Sequence, residues 1–303
     1  MDQMMEACCP LCGDKENFAV LYPQNFEPKD LNKDVFSARR LPDRLHYRIV
    51  KCDKDGLVRS TPIMAQAGLS RLYQESHFTY EEETQSLAIT YVKALSPALT
   101  AIGKTGRILE IGCGNGFVLS ALRNMGYEQV FGIEPSREAV ESADGSVKPS
   151  IRNTVLEPGL FKPESFDLIA FFQVLDHIPD PNAFLQQCSL LLKSGGYIVA
   201  FHHNVKGWSH SLLGERCPII DVEHTHLYDP KTCAAIFRRN GFNVIKVSRP
   251  SNLVSLRHLV WLTPFPRRMK KALMTSTSDL VRRFFALTLW LKLGNLCIFA
   301  KKE

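Results

Sequence analysis

Residues Glu110-Ile111-Gly112-Cys113-Gly114-Asn115-Gly116 put an acid and three alternating glycines directly behind the apolar pair Ile108-Leu109. Glycine at alternate positions lets the backbone turn tightly and come close to a ligand, and the acid offers that ligand a negative charge. A nicotinamide fingerprint would need its third glycine where Phe117 stands, so the spacing favours a cofactor without a pyrophosphate. A second acid, Glu134, closes the next apolar run, where a carboxylate can accept from both hydroxyls of a ribose. A further group is rich in histidine: Gln173 and His177, then His202-His203-Asn204, then His224 and His226. Histidine titrates near neutrality and suits proton removal. Finally, Cys9-Pro10-Leu11-Cys12-Gly13 and Lys51-Cys52-Asp53-Lys54-Asp55-Gly56 read as two metal-binding knuckles, with Asp55 where a cysteine would normally stand.

These residues need elements to hold them. Ile108, Leu109 and Ile111 read as a strand buried on both faces, and Phe117 to Met125 as the helix after the glycine turn. Strands follow at Gln129 to Ile133, Ser150 to Val155, Phe166 to Phe172, Tyr197 to Phe201, Phe242 to Ser248 and Asn295 to Ala300. Helices alternate with them at Ser136 to Ser142, at Pro181 to Leu192 (stopped by Lys193-Ser194-Gly195-Gly196) and at Asp229 to Asn240. The alternation predicts a doubly wound α/β sheet, with ligands beyond the carboxyl ends of its strands. That edge receives the glycine turn, Gln173, His177 and His203.

The run from Glu110 to Gly116, with Glu134 ending the second strand, resembles the class I methyltransferases that use S-adenosylmethionine. The Leu175-Asp176-His177-Ile178-Pro179 run resembles one form of the same family, and the segment Glu223-His224, with the N-terminal knuckle, is similar to a subgroup that carries a zinc knuckle and methylates activated sugars. The resemblance is close over about 105 to 250 and loose in the flanks. It implies a Rossmann-like sheet of seven strands with the last antiparallel. It also implies Glu110 near the methionyl ammonium, Glu134 on the ribose, Gly112, Gly114, Gly116 and Gln173 in the cofactor site, and Asn153 or Glu157 against the adenine. His224 is expected as the base with His177 second, and His203, His226 and Tyr80 as pocket residues. Tyr73 and Phe78 stand beside Tyr80 as aromatic candidates on the cofactor side. The implied activity is methyl transfer to a small-molecule acceptor, carbohydrate-derived or lipid-linked. The competing readings are an RNA methyltransferase and a cofactor-binding scaffold without turnover. Nucleic acid is disfavoured because no aromatic-plus-basic pattern for stacking bases accompanies Arg39, Arg40, Arg44 and Arg48.

Three regions are expected: a knuckle-bearing segment over 1–60, a helical cap over 61–104, and the catalytic domain over 105–303 with a helical insertion at about 252–294. A structural Zn²⁺ is expected at Cys9, Cys12, Cys52 and Asp55, with Cys8 or His46 as substitutes for the odd ligand. Thr61-Pro62 reads as a helix start, Gly68-Leu69-Ser70 as a break, and Thr79 as the cap of a long helix whose core face is Leu87, Tyr91 and Leu95. Within the insertion Leu280, Phe284, Leu287 and Leu291 fall on one helical face, and Arg267, Arg268, Lys270, Lys271, Arg282, Arg283 and Lys292 add charge. Residues 251–303 hold ten Lys/Arg against two Asp/Glu, while the first 250 carry a net −2. Contact with an anionic membrane or a lipid-linked substrate is therefore placed at 256–292. Nine cysteines and an opening without a basic, apolar leader point to a reducing compartment such as the cytoplasm. Phe284 to Ala300 is too interrupted for a membrane span, and the oligomeric state is left open.

Overall fold

In a computed structural model, residues 4–27, 30–31, 44–75, 84–262 and 287–303 are described. The chain opens with strands β1 (Met4–Met5), β2 (Phe18–Tyr22), β3 (Ile49–Cys52), β4 (Val58–Ser60) and β5 (Ile63–Met64). β2, β3 and β4 form an antiparallel meander, and β5 pairs with β1. Thr61-Pro62 thus leads into a strand and not a helix, because Ile63 and Met64 are buried in a small apolar cluster with Tyr47 and Val222. α1 (Gln66–Gln74) begins after that and runs through Gly68-Leu69-Ser70, where a break was expected. Burial of Leu69 and Leu72 outweighs the penalty of about 1 kcal/mol for a glycine inside a helix.

α2 (Thr84–Ile102) buries Leu87, Tyr91 and Leu95 as its pattern predicts. Tyr91 stacks on Phe172 with ring centroids 4.1 Å apart and meets Phe201 edge-on at 5.1 Å. Thr79, Phe78 and Tyr80 lie outside the described residues.

The large sheet and the segments threaded between its strands follow in chain order. The elements in order are β6 (Ile108–Ile111), α3 (Phe117–Asn124), β7 (Val130–Ile133), α4 (Arg137–Glu141), β8 (Ile151–Arg152), β9 (Phe166–Phe172), α5 (Pro181–Leu191), β10 (Leu192–His203), α6 (Trp208–Leu213), β11 (His226–Leu227), α7 (Pro230–Arg239) and β12 (Phe242–Ser248), of which β11 belongs to the small N-terminal sheet. After them come β13 (Asn252–Ser255), α8 (Leu256–Leu262), β14 (Thr288–Leu291) and β15 (Asn295–Lys302). The seven-stranded order is β12-β15-β10-β9-β6-β7-β8, and β15 alone runs antiparallel, between β10 and β12. From β6 the chain winds outward through β7 and β8, then returns to β9 on the other side. The crevice at such a reversal is where open α/β sheets bind ligands.

Three further expectations differ from the structure. α5 ends at Leu191 and passes directly into β10, and Lys193-Ser194-Gly195-Gly196 forms a bulge where the register to β9 shifts. Lys193 there bonds both carboxylate oxygens of Asp167 at 2.8 Å, which fixes it to the sheet rather than to the helix end. β10 also continues to His203, so His202 and His203 are strand residues on opposite faces. Finally, the flanks of the late insertion are extended: β13 pairs antiparallel with β14, Asn252 opposite Leu291 and Ser255 opposite Thr288. Leu287 and Leu291 therefore sit beside and in a strand, as the aromatic and branched residues of Thr288–Leu291 favour. Leu280, Phe284, Arg267, Arg268, Lys270, Lys271, Arg282 and Arg283 lie outside the described residues.

The meander takes its fourth strand from far along the chain. β11 pairs with β4, His226 opposite Arg59 and Leu227 opposite Val58.

Candidate active site

Gly112, Gly114 and Gly116 all have positive φ, at 72°, 56° and 74°, a region that costs other residues strain. Space is as restrictive: a Cβ on Gly112 would lie 2.5 Å from Val174 Cγ2, and one on Gly116 would lie 2.9 Å from Ile151 Cδ1. The backbone amides of Gly112 and Cys113 both donate to the Ile133 carbonyl, which ties the turn to β7. Glu134 adds a role that the sequence did not disclose. One of its carboxylate oxygens accepts from Gly114 N and the other from Ser136 N, each at 2.8 Å, so it staples the glycine turn to the start of α4. A carboxylate has about four acceptor positions, so each oxygen retains one for a ligand. Asn153 donates to the carbonyls of Glu134 and Pro135 and braces the same corner, while Glu157 is exposed.

Glu110 is 2 % exposed, and its Oε2 has no hydrogen-bond partner among the described residues. Burial, and then the charge of Glu134, push its pKa well above the ordinary carboxylate value. Such a group is stabilised by a cation placed against it. Gln173 follows β9 with φ of 57°, donates its backbone N–H to Phe201 O at 2.6 Å, and keeps a buried Oε1 that, like Asn115 Oδ1, has no hydrogen bond among the described residues.

A second cluster lies just beyond β9. Asp176, on the turn Leu175–His177, is 1 % exposed, with Oδ1 3.9 Å from His177 Nε2 and Oδ2 3.9 Å from His224 Nε2. The His177 and His224 rings meet edge-on at 4.8 Å, and His203 meets His224 at 5.0 Å. The backbone N–H of His203 lies 3.5 Å from Asp176 Oδ2, and Tyr73 OH bonds His177 Nδ1 at 2.9 Å. Of the four histidines given roles above, His177 and His224 thus turn their rings to one carboxylate, and His203 reaches it through its backbone N–H while its ring meets His224. His226 stays apart in β11, with Nδ1 3.1 Å from the Ile178 carbonyl, and burial pulls its pKa down to about 4. Burial pushes Asp176 up to about 7 against the hydrogen bonds from backbone amides. The ligand atoms of Asp176, His177 and His224 lie within 4.8 Å of one another, close enough to share a cation. Asp176 and Tyr73 are the members whose parts the sequence did not show. The Asp-His pairing was readable from their adjacency, whereas Tyr73 arrives from α1 through tertiary packing.

Residues 80–247, more than half of the chain, match a family described as a methyltransferase domain. The chain belongs to that family. Among its relatives, the ubiquinone biosynthesis O-methyltransferase of Vibrio cholerae is 30 % identical over 161 residues, which cover 50 % of this chain and 64 % of that protein. The protein of the same name from Proteus mirabilis is 26 % identical over 148 residues, or 46 % of this chain and 58 % of the relative. The chain spans less than two thirds of the length of these relatives. Among solved structures, a SAM-dependent methyltransferase from Archaeoglobus fulgidus shares 16 % identity with a TM-score of 0.47, over 75 % of this chain and 100 % of that one.

The chain also carries a cysteine cluster outside the glycine turn and the histidine pocket. Cys9, Cys12, Cys52 and Asp55 present ligand atoms within 4.8 Å of one another. Cys9 Sγ and Cys52 Sγ lie 3.0 and 3.3 Å from Asp55 Oδ2, and Cys12 Sγ is 3.5 Å from Cys52 Sγ. Tetrahedral thiolates around zinc stand about 3.7 Å apart, given Zn–S bonds near 2.3 Å. The two turns match: Gly13 N–H donates to Cys9 O, and Gly56 N–H to Cys52 O, both glycines at positive φ. Burial and the neighbouring Asp55 push the Cys9 thiol upward, so in the absence of a cation it stays protonated and donates to Asp55. His46 is committed elsewhere, to Tyr47 O at 2.8 Å and Glu215 at 3.1 Å, and Cys8 is exposed outside the cluster. Asp55 is thus the fourth group.

Proposed function

We propose that this chain transfers a methyl group from S-adenosylmethionine to an oxygen of a small-molecule acceptor, carbohydrate-derived or lipid-linked. The observation that carries the reading is Glu110: a buried carboxylate with an oxygen that has no partner among the described residues, beside a glycine turn and a second acid. That is an environment for a ligand with a cationic ammonium and a ribose and without a phosphate. When bound, S-adenosylmethionine supplies an electrophilic methyl on its sulfonium. Glu110 then balances the ammonium, Glu134 accepts from the ribose, and Gln173 presents its free carbonyl oxygen to the same site. On the acceptor side His224 takes the hydroxyl proton, with Asp176 facing its ring and His177 held by Tyr73. The relatives named as O-methyltransferases support oxygen as the acceptor atom.

Calorimetric titration should show saturable binding of S-adenosylmethionine and S-adenosylhomocysteine, and none of NAD. Glu110→Gln should weaken that binding about 10- to 100-fold, since a charge-assisted hydrogen bond is worth about 1.5–3 kcal/mol. Equal binding of NAD, or no loss in the variant, would defeat the assignment.

The Cys9, Cys12, Cys52 and Asp55 cluster is proposed as a structural zinc site, supported by its donor set and spacing. Metal analysis of purified protein should find about one zinc per chain. Well under one would sink this part.

One observation favours the lipid-linked class. Trp208, Leu212 and Leu213 on α6 are exposed, as are Leu287 before β14 and Leu289 and Trp290 within it. Trp208 Nε1–H donates to Lys292 O at 2.7 Å, and Lys93 Nζ stands 3.8 Å from the centroid of the Trp290 ring, so apolar and basic groups share one surface. Co-sedimentation with anionic vesicles, but not with neutral ones, is the expected outcome. Equal recovery in the supernatant with both would remove the membrane version.

A further inference from the structure

His224 lies in a segment with little regular structure of its own. Between Asp221 and Asp229 the one strand is β11, two residues long, and its ladder partner is β4. β4 reaches past that ladder to the candidate base itself. Ser60 Oγ–H donates to the His224 carbonyl at 2.8 Å, and Ser60 N–H donates to the Thr225 carbonyl at 2.9 Å. Ser60 is fully buried. From the other side Thr225 closes the pocket: its N–H donates to Asp176 O at 2.8 Å, and its Oγ1 lies 3.1 Å from Asp176 O and 3.0 Å from Ile178 O. His224 is therefore clamped between the Asp176 turn and the edge of the N-terminal sheet.

That edge is built on the cysteine cluster. β3 and β4 are joined by the turn that contains Cys52 and Asp55, closed by Cys52 N–H to Leu57 O at 2.9 Å and Leu57 N–H to Asp55 Oδ1 at 2.9 Å. The other knuckle grips the opposite loop, since Asn182, in the first turn of α5, donates Nδ2–H to Pro10 O at 2.9 Å. Cys9, Cys52 and Leu57 also pack in the same apolar cluster as Tyr228, which follows β11 directly. An ion that fixes Cys52 and Asp55 against Cys9 and Cys12 thereby fixes the register of β4.

We propose that the metal knuckle positions the base of the methyl-transfer site, acting through the bond from Ser60 to the backbone of His224. Ser60 is a positioning residue: it touches neither acceptor nor cofactor, and it holds the peptide that carries the imidazole. The inference rests on the reading of His224 as base, but its test reads the ring itself and needs no acceptor.

The experiment follows the histidine ring nitrogens by NMR in the full-length protein, with His224 assigned as the signal missing from His224→Gln. The expected result is that the His224 ring resonances shift in Ser60→Ala and shift in the same sense when the wild-type protein is stripped of zinc by a chelator. Ser60→Thr, which retains the hydroxyl, should restore them. S-adenosylhomocysteine should bind to within about twofold of wild type throughout, which shows that the glycine turn is intact. If Ser60→Ala fails to fold, the chelated wild type decides; if chelation unfolds the chain, the Ser60 variants decide. His224 resonances that stay in place in Ser60→Ala, or in zinc-free folded protein, overturn the inference. A protein that takes up no zinc overturns it as well, and neither result bears on cofactor binding.

Discussion

Replacing His224 by glutamine should lower methyl transfer by about 10²–10⁴-fold with cofactor binding unchanged, the range of a lost general base. Glutamine keeps a polar group of similar reach at the position 3.9 Å from Asp176 but cannot take a proton. The companion change at His177 should cost less, because Tyr73 OH already occupies its Nδ1 at 2.9 Å and makes the ring a wall of the pocket more than a proton acceptor. The check is turnover with labelled S-adenosylmethionine on any acceptor found by screening, in parallel with calorimetry on both variants. A wild-type rate in His224→Gln would pass the role of base to His177. A lost cofactor affinity in either variant would instead mean that the histidines shape the glycine-turn side. In-line displacement gains much of its acceleration from alignment, so residual activity above background is expected in both variants.

What the sequence disclosed is what local chemistry fixes. Ile108 to Ile111 and Phe166 to Phe172 are buried on both faces, so their apolar runs need no context, and the glycines after β6 are required by their own φ and by the space left by Val174 and Ile151. The knuckles were legible for the same reason, each being a tight turn written in consecutive residues. Tertiary decisions were not legible. Gly68 sits within α1 because Leu69 and Leu72 find a core, and Lys193 leaves the helix end because Asp167 binds it. Thr288 to Leu291 becomes a strand because Leu253 and Val254 lie opposite Trp290 and Leu289. The histidine pocket is intermediate. Its members were visible one by one, yet only the fold brings His203 from β10 and His224 from beside β4 to one carboxylate. The second duty of Glu134, binding Gly114 and Ser136, is likewise a property of the folded corner.

Asp176→Asn should change how stability depends on pH, and the sign follows from burial. The Asp176 pKa stands at about 7 in the fold against an ordinary 3.8. Between those values the folded chain holds a proton that the unfolded chain has released, so raising the pH through that window removes stability. A tenfold difference in proton affinity between the two states is worth about 1.4 kcal/mol, so by pH 8 the ionised, buried carboxylate costs up to about 4 kcal/mol. Asparagine carries no charge at any pH and escapes this loss. His202 and His226, both pulled down to about 4 by burial, act in the opposite sense: they destabilise the fold as pH falls from about 6.5 toward 4. Both remain in the variant, so their contribution cancels in the difference from wild type. Urea denaturation of both proteins at pH 5 and pH 8 should therefore show the variant gaining on wild type by up to about 3 kcal/mol between the two conditions, since only the part of the window from pH 5 to about 7 is crossed. An equal difference at both would mean that Asp176 is not held protonated by its surroundings. The cost has a use in the reaction proposed for this site. A carboxylate that resists ionisation in the resting pocket is stabilised once the neighbouring His224 or His177 becomes a cation, 3.9 Å away. Asp176→Asn should accordingly gain stability above neutral pH and lose methyl-transfer rate, the two effects arising from removal of the same buried charge.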